Sequence, residues 1–351
     1  MKFRHQVLRV LPVILLVCGL LLAPAEAQFS QQAKLVGTGA AGIAGQGGSV
    51  SLSADGNTAI VGAPGDNNAM LNNTGAAWVF VRSRGTWSQQ GRKLVGTGAI
   101  GNADQGTSVS LSSSGNTAIV GGPFDNDDAG AAWVFERSDG VWRQQAKLVA
   151  AGTSFLFGDS VSLSGGGNTA IVGGPLDNGS VGAAWVFTRS HGVWSQQAKL
   201  VGAGVVGAFQ FQGISVALSG NGNAAFVGGF ADNNLTGATW VFTRSHGVWT
   251  QQAKLIAAGA IGNAEQGYSV SISDDGETAA VGGPFDNKGA GAAWIFVQQP
   301  VFAGTPGKAN CHGQSVSALA KQYGGLNGAA AALGFASVDA LQAAIQEFCV
   351  G

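Results

Sequence analysis

From Gln28 to Val301 the apolar positions alternate with polar or small ones, and no stretch holds the three-four spacing of a helix. Ser49–Ser53 alternates serine with Val50 and Leu52, the period-two signature of a strand. A Gly/Asn turn at Asp55-Gly56-Asn57 leads into a short apolar run, Thr58–Gly62. Ala76–Arg82, rich in Trp and Val, reads as a third strand. Ser83-Arg84-Gly85 then turns the chain tightly into Thr86–Val95, a fourth. After Pro300 the period changes. Val316, Leu319, Ala320 and Tyr323 share one helical face, and Val338, Leu341, Ile345 and Phe348 share another, with Ser337 as N-cap.

The four-strand pattern is copied. Gln-Gln-Ala-Lys-Leu starts at Gln31, Gln144, Gln196 and Gln251, with a variant at Gln89, so that the lysines fall at Lys34, Lys93, Lys147, Lys199 and Lys254. Their spacings are 59, 54, 52 and 55 residues. Each copy continues through Ser-Val-Ser-Leu-Ser, Thr-Ala-Ile-Val-Gly, an Asp-Asn loop, Gly-Ala-Ala-Trp-Val-Phe and Arg-Ser-x-Gly-x-Trp, or close variants. One copy cannot bury both faces of its sheet alone, so the copies must stack on each other. Short strands of this kind joined by Gly-rich turns fit radial blades.

The ends look complementary. The Trp-Ser-Gln-Gln strand follows the third strand of the first four copies but not that of the fifth, whereas the chain opens with Phe29–Leu35, a copy of the missing strand. The expectation is an all-β β-propeller of five four-stranded blades, closed by pairing of Phe29–Leu35 beside Ala292–Val297, plus a small C-terminal α-helical module. The division expected is a signal peptide over 1–27, the propeller over 28–300, a linker over 301–313 and the helical module over 314–351.

Composition adds a location. Lys2, Arg4 and Arg9 precede an apolar run to about Leu22 and the small-x-small sequence Ala25-Glu26-Ala27, which reads as a secretory signal. The run is short for a membrane span, and no other stretch is long and apolar enough, so a secreted, periplasmic or cell-surface protein without a transmembrane segment is expected. Removing the signal removes Cys18 and leaves Cys311 and Cys349, which are expected to form a disulfide. The balance of 18 Lys+Arg against 19 Asp+Glu gives a net charge of -1 and argues against a nucleic-acid partner.

The copies resemble FG-GAP repeats, the propeller units of integrin α-chain heads and of many exported bacterial proteins. The resemblance rests on Phe157-Gly158, on Gly62-Ala63-Pro64, and on Gly-Gly-Pro at Gly121–Pro123, Gly173–Pro175 and Gly282–Pro284. Gln-Gly replaces Phe-Gly at Gln46, Gln105, Gln212 and Gln266, and the fourth copy has Gly228-Gly229-Phe230. The family often holds calcium in a loop of alternating aspartates. Here that loop is cut down to Ser53–Thr58 and its counterparts, and the closing aspartate is replaced by Thr58, Thr117, Thr169, Ala224 and Thr278. No calcium, other metal or cofactor is therefore expected.

The candidate binding residues are the loop pairs Asp66-Asn67, Asp125-Asn126, Asp177-Asn178, Asp232-Asn233 and Asp286-Asn287, which would circle one rim. The local alternative is that Asp and Asn shape their own turns. His191 and His246 share a hairpin slot with Arg84 and Asp139, as solvated turn residues do. The recurring tryptophans read as packing anchors, or as sugar platforms if their rings are exposed. No catalytic residues stand out: HExxH, the Gly-x-Ser-x-Gly elbow and a Walker loop are all missing. The reading is a non-enzymatic scaffold for a protein or glycan ligand, with an extracellular polymer-degrading hydrolase or lyase, or a structural matrix protein, as alternatives.

Overall fold

In the computed structural model, residues 29–66, 74–152, 154–298 and 302–350 are described. The expected signal peptide and Asn67 lie outside them. The chain is a β-propeller of five antiparallel blades. Blade 1 runs Ser49–Leu52, Thr58–Ala63, Ala76–Ser83 and Thr86–Gln89, each strand hydrogen-bonded to the next in chain order. Blade 2 repeats this over Ser108–Leu111, Thr117–Gly122, Ala131–Ser138 and Val141–Leu148, and blades 3 and 4 repeat it over 160–200 and 215–255. Blade 5 has Ser269–Ile272, Thr278–Gly283 and Ala292–Val297.

Local chemistry explains each corner. The third and outer strands meet at a two-residue turn in which both positions have positive φ, 49° at Arg84 and 78° at Gly85, the geometry that matches the twist of a hairpin. Asp139, His191 and His246 take the same conformation, with φ of 50–52°. In blades 2, 3 and 4 the outer strand carries a bulge between its two glutamines, since Phe135 faces Gln144 while Val134 faces Ala146. The bulge lets consecutive glutamines reach different partners.

Neighbouring blades interlock through the alternating first strand. Val109 and Leu111 pack with Ile60, Val79 and Leu94 of blade 1 and with Trp133 and Phe135 of their own blade. The serines look the other way: Ser51 Oγ accepts from Leu111 N at 3.1 Å, Ser110 Oγ from Leu163 N at 3.0 Å, and Ser162 Oγ from Leu218 N at 3.2 Å. Glycine is required where backbones meet. A Cβ on Gly121 would stand 2.0 Å from Gly158 O of the next blade, so the glycines of the two signature motifs pack on each other.

The N-terminal closing strand is not formed, and this corrects the sequence expectation. Phe29–Leu35 carries no strand, and the fifth sheet has three strands. Every other outer strand is delivered by its own hairpin turn, whereas this one would have to pair across the chain from residue 35 to residue 292, at a larger loop-closure cost. The terminal faces stay open accordingly. Val50 and Leu52 are 69% and 62% exposed where Val109 and Leu111 are both 7%, and Ile295 is 65% exposed.

Helices follow at Cys311–Tyr323, Leu326–Ala332 and Val338–Val350, the first beginning three residues before the expected Gln314. Gly324, left-handed at φ 70°, ends the first, and Ser337 Oγ caps the third by accepting from Ala340 N at 3.1 Å. Leu319, Ala329, Leu341 and Ile345 form their core with Phe302, which the sequence reading had placed in the linker. Cys311 and Cys349 are disulfide-bonded. Among the described residues no helix is long and apolar enough to cross a membrane.

Candidate functional site

The Asp-Asn loops are built around buried aspartates. Asp66, Asp125, Asp177, Asp232 and Asp286 are all buried. One carboxylate oxygen accepts from the linker that enters the blade: from Ile100 N at 2.7 Å on Asp125, Val206 N at 2.9 Å on Asp232 and Ile261 N at 2.6 Å on Asp286. The other oxygen pairs with the outer-strand lysine, Lys93 with Asp66, and Lys147, Lys199 and Lys254 with Asp125, Asp177 and Asp232 at 2.6 Å. Each of these lysines also lies 5.0–5.8 Å from the centre of a tryptophan ring, Trp78, Trp133, Trp185 or Trp240. The aspartate thus ties loop, linker and outer strand together. Asn126, Asn178, Asn233 and Asn287 adopt left-handed φ of 48–53°, which asparagine tolerates better than most side chains. The arrangement is the local, turn-shaping one.

The Gln-Gly motif has an equally local task. Gln105 accepts from Gly96 N at 2.5 Å and donates to Gly96 O at 3.0 Å, and Gln46 and Gln212 clasp Gly37 and Gly202 in the same way. In blade 3 Phe157 takes this place and meets Trp185 edge-on at 5.3 Å.

The tryptophans are anchors. Trp78, Trp133, Trp185 and Trp240 are fully buried. The outer-strand set, Trp87, Trp142, Trp194 and Trp249, lies 5.3–5.9 Å from the guanidinium of Arg82, Arg137, Arg189 or Arg244. Arg137 also donates to Gln90 of the preceding blade at 2.9 Å, as Trp142 Nε1 does at 3.0 Å. Each of these rings thus has an arginine over one face. The shortened calcium-type loop is folded on itself, with Asp55 accepting from Ser53 Oγ at 2.5 Å and from Asn57 N at 2.9 Å. Those hydrogen bonds lower the Asp55 pKa to about 2.

A different surface is open. Phe209, Phe211, Phe230 and Tyr268 form a continuous row with ring centres 6.5, 4.9 and 5.8 Å apart, and Phe211 and Phe230 are stacked at 16°. The outer members are the most accessible, Phe209 at 57% and Tyr268 at 48%. Repeat alignment makes the row unusual. The counterparts of Phe211 are Gly45, Asp104, Leu156 and Glu265, those of Phe230 are Pro64, Pro123, Pro175 and Pro284, and those of Tyr268 are Gly48, Thr107, Asp159 and Ile214. Departures at separate repeat positions thus converge on one place.

An open cavity of about 550 Å³ is lined by Leu235, Ile261, Asn263, Glu265, Phe285 and Lys288, and Glu265 O accepts from Tyr268 N at 3.2 Å. Burial raises the pKa of Glu265, and of Asp104 in the same repeat slot. Asp159, in the slot of Tyr268, is pushed by burial to about 6. Sequence reading noticed Phe230 but not the row. The available signal was the departure of copy four from its siblings, legible only when the copies are compared slot by slot.

The fold and this surface define the class first: a repeat-built β-propeller with an aromatic surface near its last two blades. Three of the copies are similar to the FG-GAP repeat. Residues 29–80, 142–187 and 249–296 match the profile of the FG-GAP repeat. No curated protein sequence matches. Among solved structures, a chain of hydrazine synthase from Kuenenia stuttgartiensis aligns with TM-score 0.43 and 11% identity, over 72% of this chain and 59% of that one. The match therefore spans less than two thirds of that chain's length.

Proposed function

We propose that this protein is an exported, non-enzymatic binding scaffold that takes a carbohydrate chain along Phe209, Phe211, Phe230 and Tyr268. The carrying observation is the convergence of departures from the repeat on one exposed aromatic row. Aromatic faces and edges accept the C–H surfaces of sugar rings. The expected signal peptide and the disulfide support export. A glycan array probed with the full chain tests the reading. Binding that falls at least tenfold in Phe209→Ala/Tyr268→Ala, with unchanged melting, is the expected result. Binding unaffected by the double variant, or a blank array, overturns it.

A further inference from the structure

The linker completes the loop aspartate in four blades, and blade 3 departs from the pattern. In blade 2 Ile100 N donates to Asp125 Oδ1 at 2.7 Å, while Ile100 O accepts from Asn126 N at 2.9 Å. Val206 serves Asp232 and Asn233 in the same reciprocal way, and Ile261 serves Asp286 and Asn287. In blade 1 Ala41 N donates to Asp66 at 2.8 Å. Among the described residues no donor of this kind reaches Asp177 Oδ1, and no acceptor meets Asn178 N. Lys199 differs as well. Lys147 and Lys254 each donate to a linker carbonyl besides their aspartate, to Gly98 O at 2.6 Å and Gly204 O at 2.7 Å. The oxygen partner of Lys199 among the described residues is Asp177 alone, and its side chain is 38% exposed against 22% and 13% for those two.

The sequence supplies the cause. Leu148 and Ser160 stand 12 positions apart, whereas the equivalent pairs Leu94–Ser108, Leu200–Ser215 and Leu255–Ser269 stand 14, 15 and 14 apart. The linker into blade 3 is therefore the short one. It also carries a Cβ at a point where three sister copies have none. Gly37, Gly96 and Gly202 press so closely on Trp78, Trp133 and Trp240 that a Cβ there would stand 2.1 Å from the indole, and the third copy has Ala150 in this slot. Trp133 Nε1 and Trp240 Nε1 donate to the linker carbonyls Thr97 O and Ala203 O at 3.0 and 2.9 Å, while Trp185 Nε1 is buried with no acceptor among the described residues. A shorter linker held off its tryptophan leaves room beside the loop. That room is a cavity of about 200 Å³ lined by Asp177, Asn178, Val181, Gly182, Lys199 and Val201. The loop and strand residues that are short of a partner all belong to this lining, and Asp177 among them is only 3% exposed.

We infer that this cavity is a subsite for one neutral sugar residue, whose hydroxyls donate to Asp177 Oδ1 and accept from Asn178 N and Lys199 Nζ. In the sister blades the same places are taken by an uncharged N–H and C=O, and Asp177 already holds Lys199, so the occupant carries no net charge. A hydroxyl both donates and accepts, and neighbouring hydroxyls on one ring serve both sides of the ion pair. The cavity is smaller than the ~300–1,000 Å³ of drug-sized pockets, which suits one small unit rather than a length of peptide. Buried polar groups without partners are costly, and a ligand that pairs them removes that cost. None of the lining residues belongs to the aromatic row, but the choice of a sugar rests on the carbohydrate reading proposed above.

Saturation-transfer NMR of the full chain with a panel of neutral monosaccharides is the test, with glycine as a zwitterionic control. Transfer to at least one sugar and none to glycine is expected. Val201→Trp adds bulk to the lining from a position already 46% exposed, and should weaken that binding about tenfold with the melting temperature unchanged. Phe209→Ala/Tyr268→Ala should leave it intact. Replacing residues 149–154 by the eight residues of 95–102, the linker into blade 2, should abolish it and raise the melting temperature by restoring the linker contacts. A silent panel, binding of glycine in place of sugars, or sugar binding unaffected by Val201→Trp would each overturn the subsite. The glycan array with Phe209→Ala/Tyr268→Ala decides the aromatic row separately. Monosaccharide binding that only Val201→Trp removes, beside an array signal indifferent to the double variant, would sink the row and leave the subsite standing.

Discussion

Asp159 is one of five residues in the same repeat slot, beside Gly48, Thr107, Ile214 and Tyr268, and only there does the blade boundary bury a carboxyl. Burial penalises its charged form and raises its pKa from 3.8 to about 6. In this window the folded chain holds a proton that the unfolded chain has released. Stability should therefore fall as pH rises from about 4 to about 6 and level off above that. Asp159→Asn should remove this slope and stabilise the protein by about 2–3 kcal/mol at pH 7.5, with little difference near pH 4. Chemical denaturation across that range measures it. The same residue scale shows why the Asp-Asn pairs were ambiguous in sequence. A turn-shaping aspartate and a ligand-presenting one have identical local patterns, and only the lysine brought in by the outer strand separates them.

At the scale of the element, the outer strand is held by its hairpin, by the ammonium–carboxylate contact and by glutamines that reach both ways. Gln144 Oε1 accepts from Thr97 N at 2.6 Å, while Gln145 Oε1 accepts from Arg189 of the next blade at 3.4 Å. Lys147→Ala should leave Asp125 buried without its cation and cost about 3–5 kcal/mol, because removing one partner of a buried pair exposes the other's desolvation penalty. Urea denaturation of the variant measures this. The helices offer a second check. Their core is small, and the disulfide closes a loop of 38 residues, worth ~4 kcal/mol in the chain-entropy account. Cys311→Ala/Cys349→Ala should lose helical circular dichroism at a temperature where the near-ultraviolet tryptophan signal of the blades persists.

For the molecule as a whole, blade-to-blade contact is the repeated unit of stability. Every full interface combines a Val/Leu face, a serine ladder, paired glycines and an outer-strand tryptophan. Blade 1 and blade 5 carry the same residues with Val50, Leu52 and Ile295 exposed, so the contacts that bury their counterparts are absent there among the described residues. The aromatic row belongs here as well. It is assembled from the linker between blades 3 and 4, a strand end and the opening of the next blade, so neither its existence nor its exposure is a property of any one element.

Strand order within a blade and the repeat were determined by the sequence alone, because period-two alternation, positive-φ turn residues and self-similar spacing act locally and identically in each copy. The disulfide was legible for a related reason, since Cys311 and Cys349 are the two cysteines after Cys18 in the sequence. The inward aspartates, the aromatic row and the unfilled edge of blade 5 were decided by tertiary structure. Each depends on which blade stands beside which, and on whether a strand without a hairpin turn repays the entropy of reaching its partner.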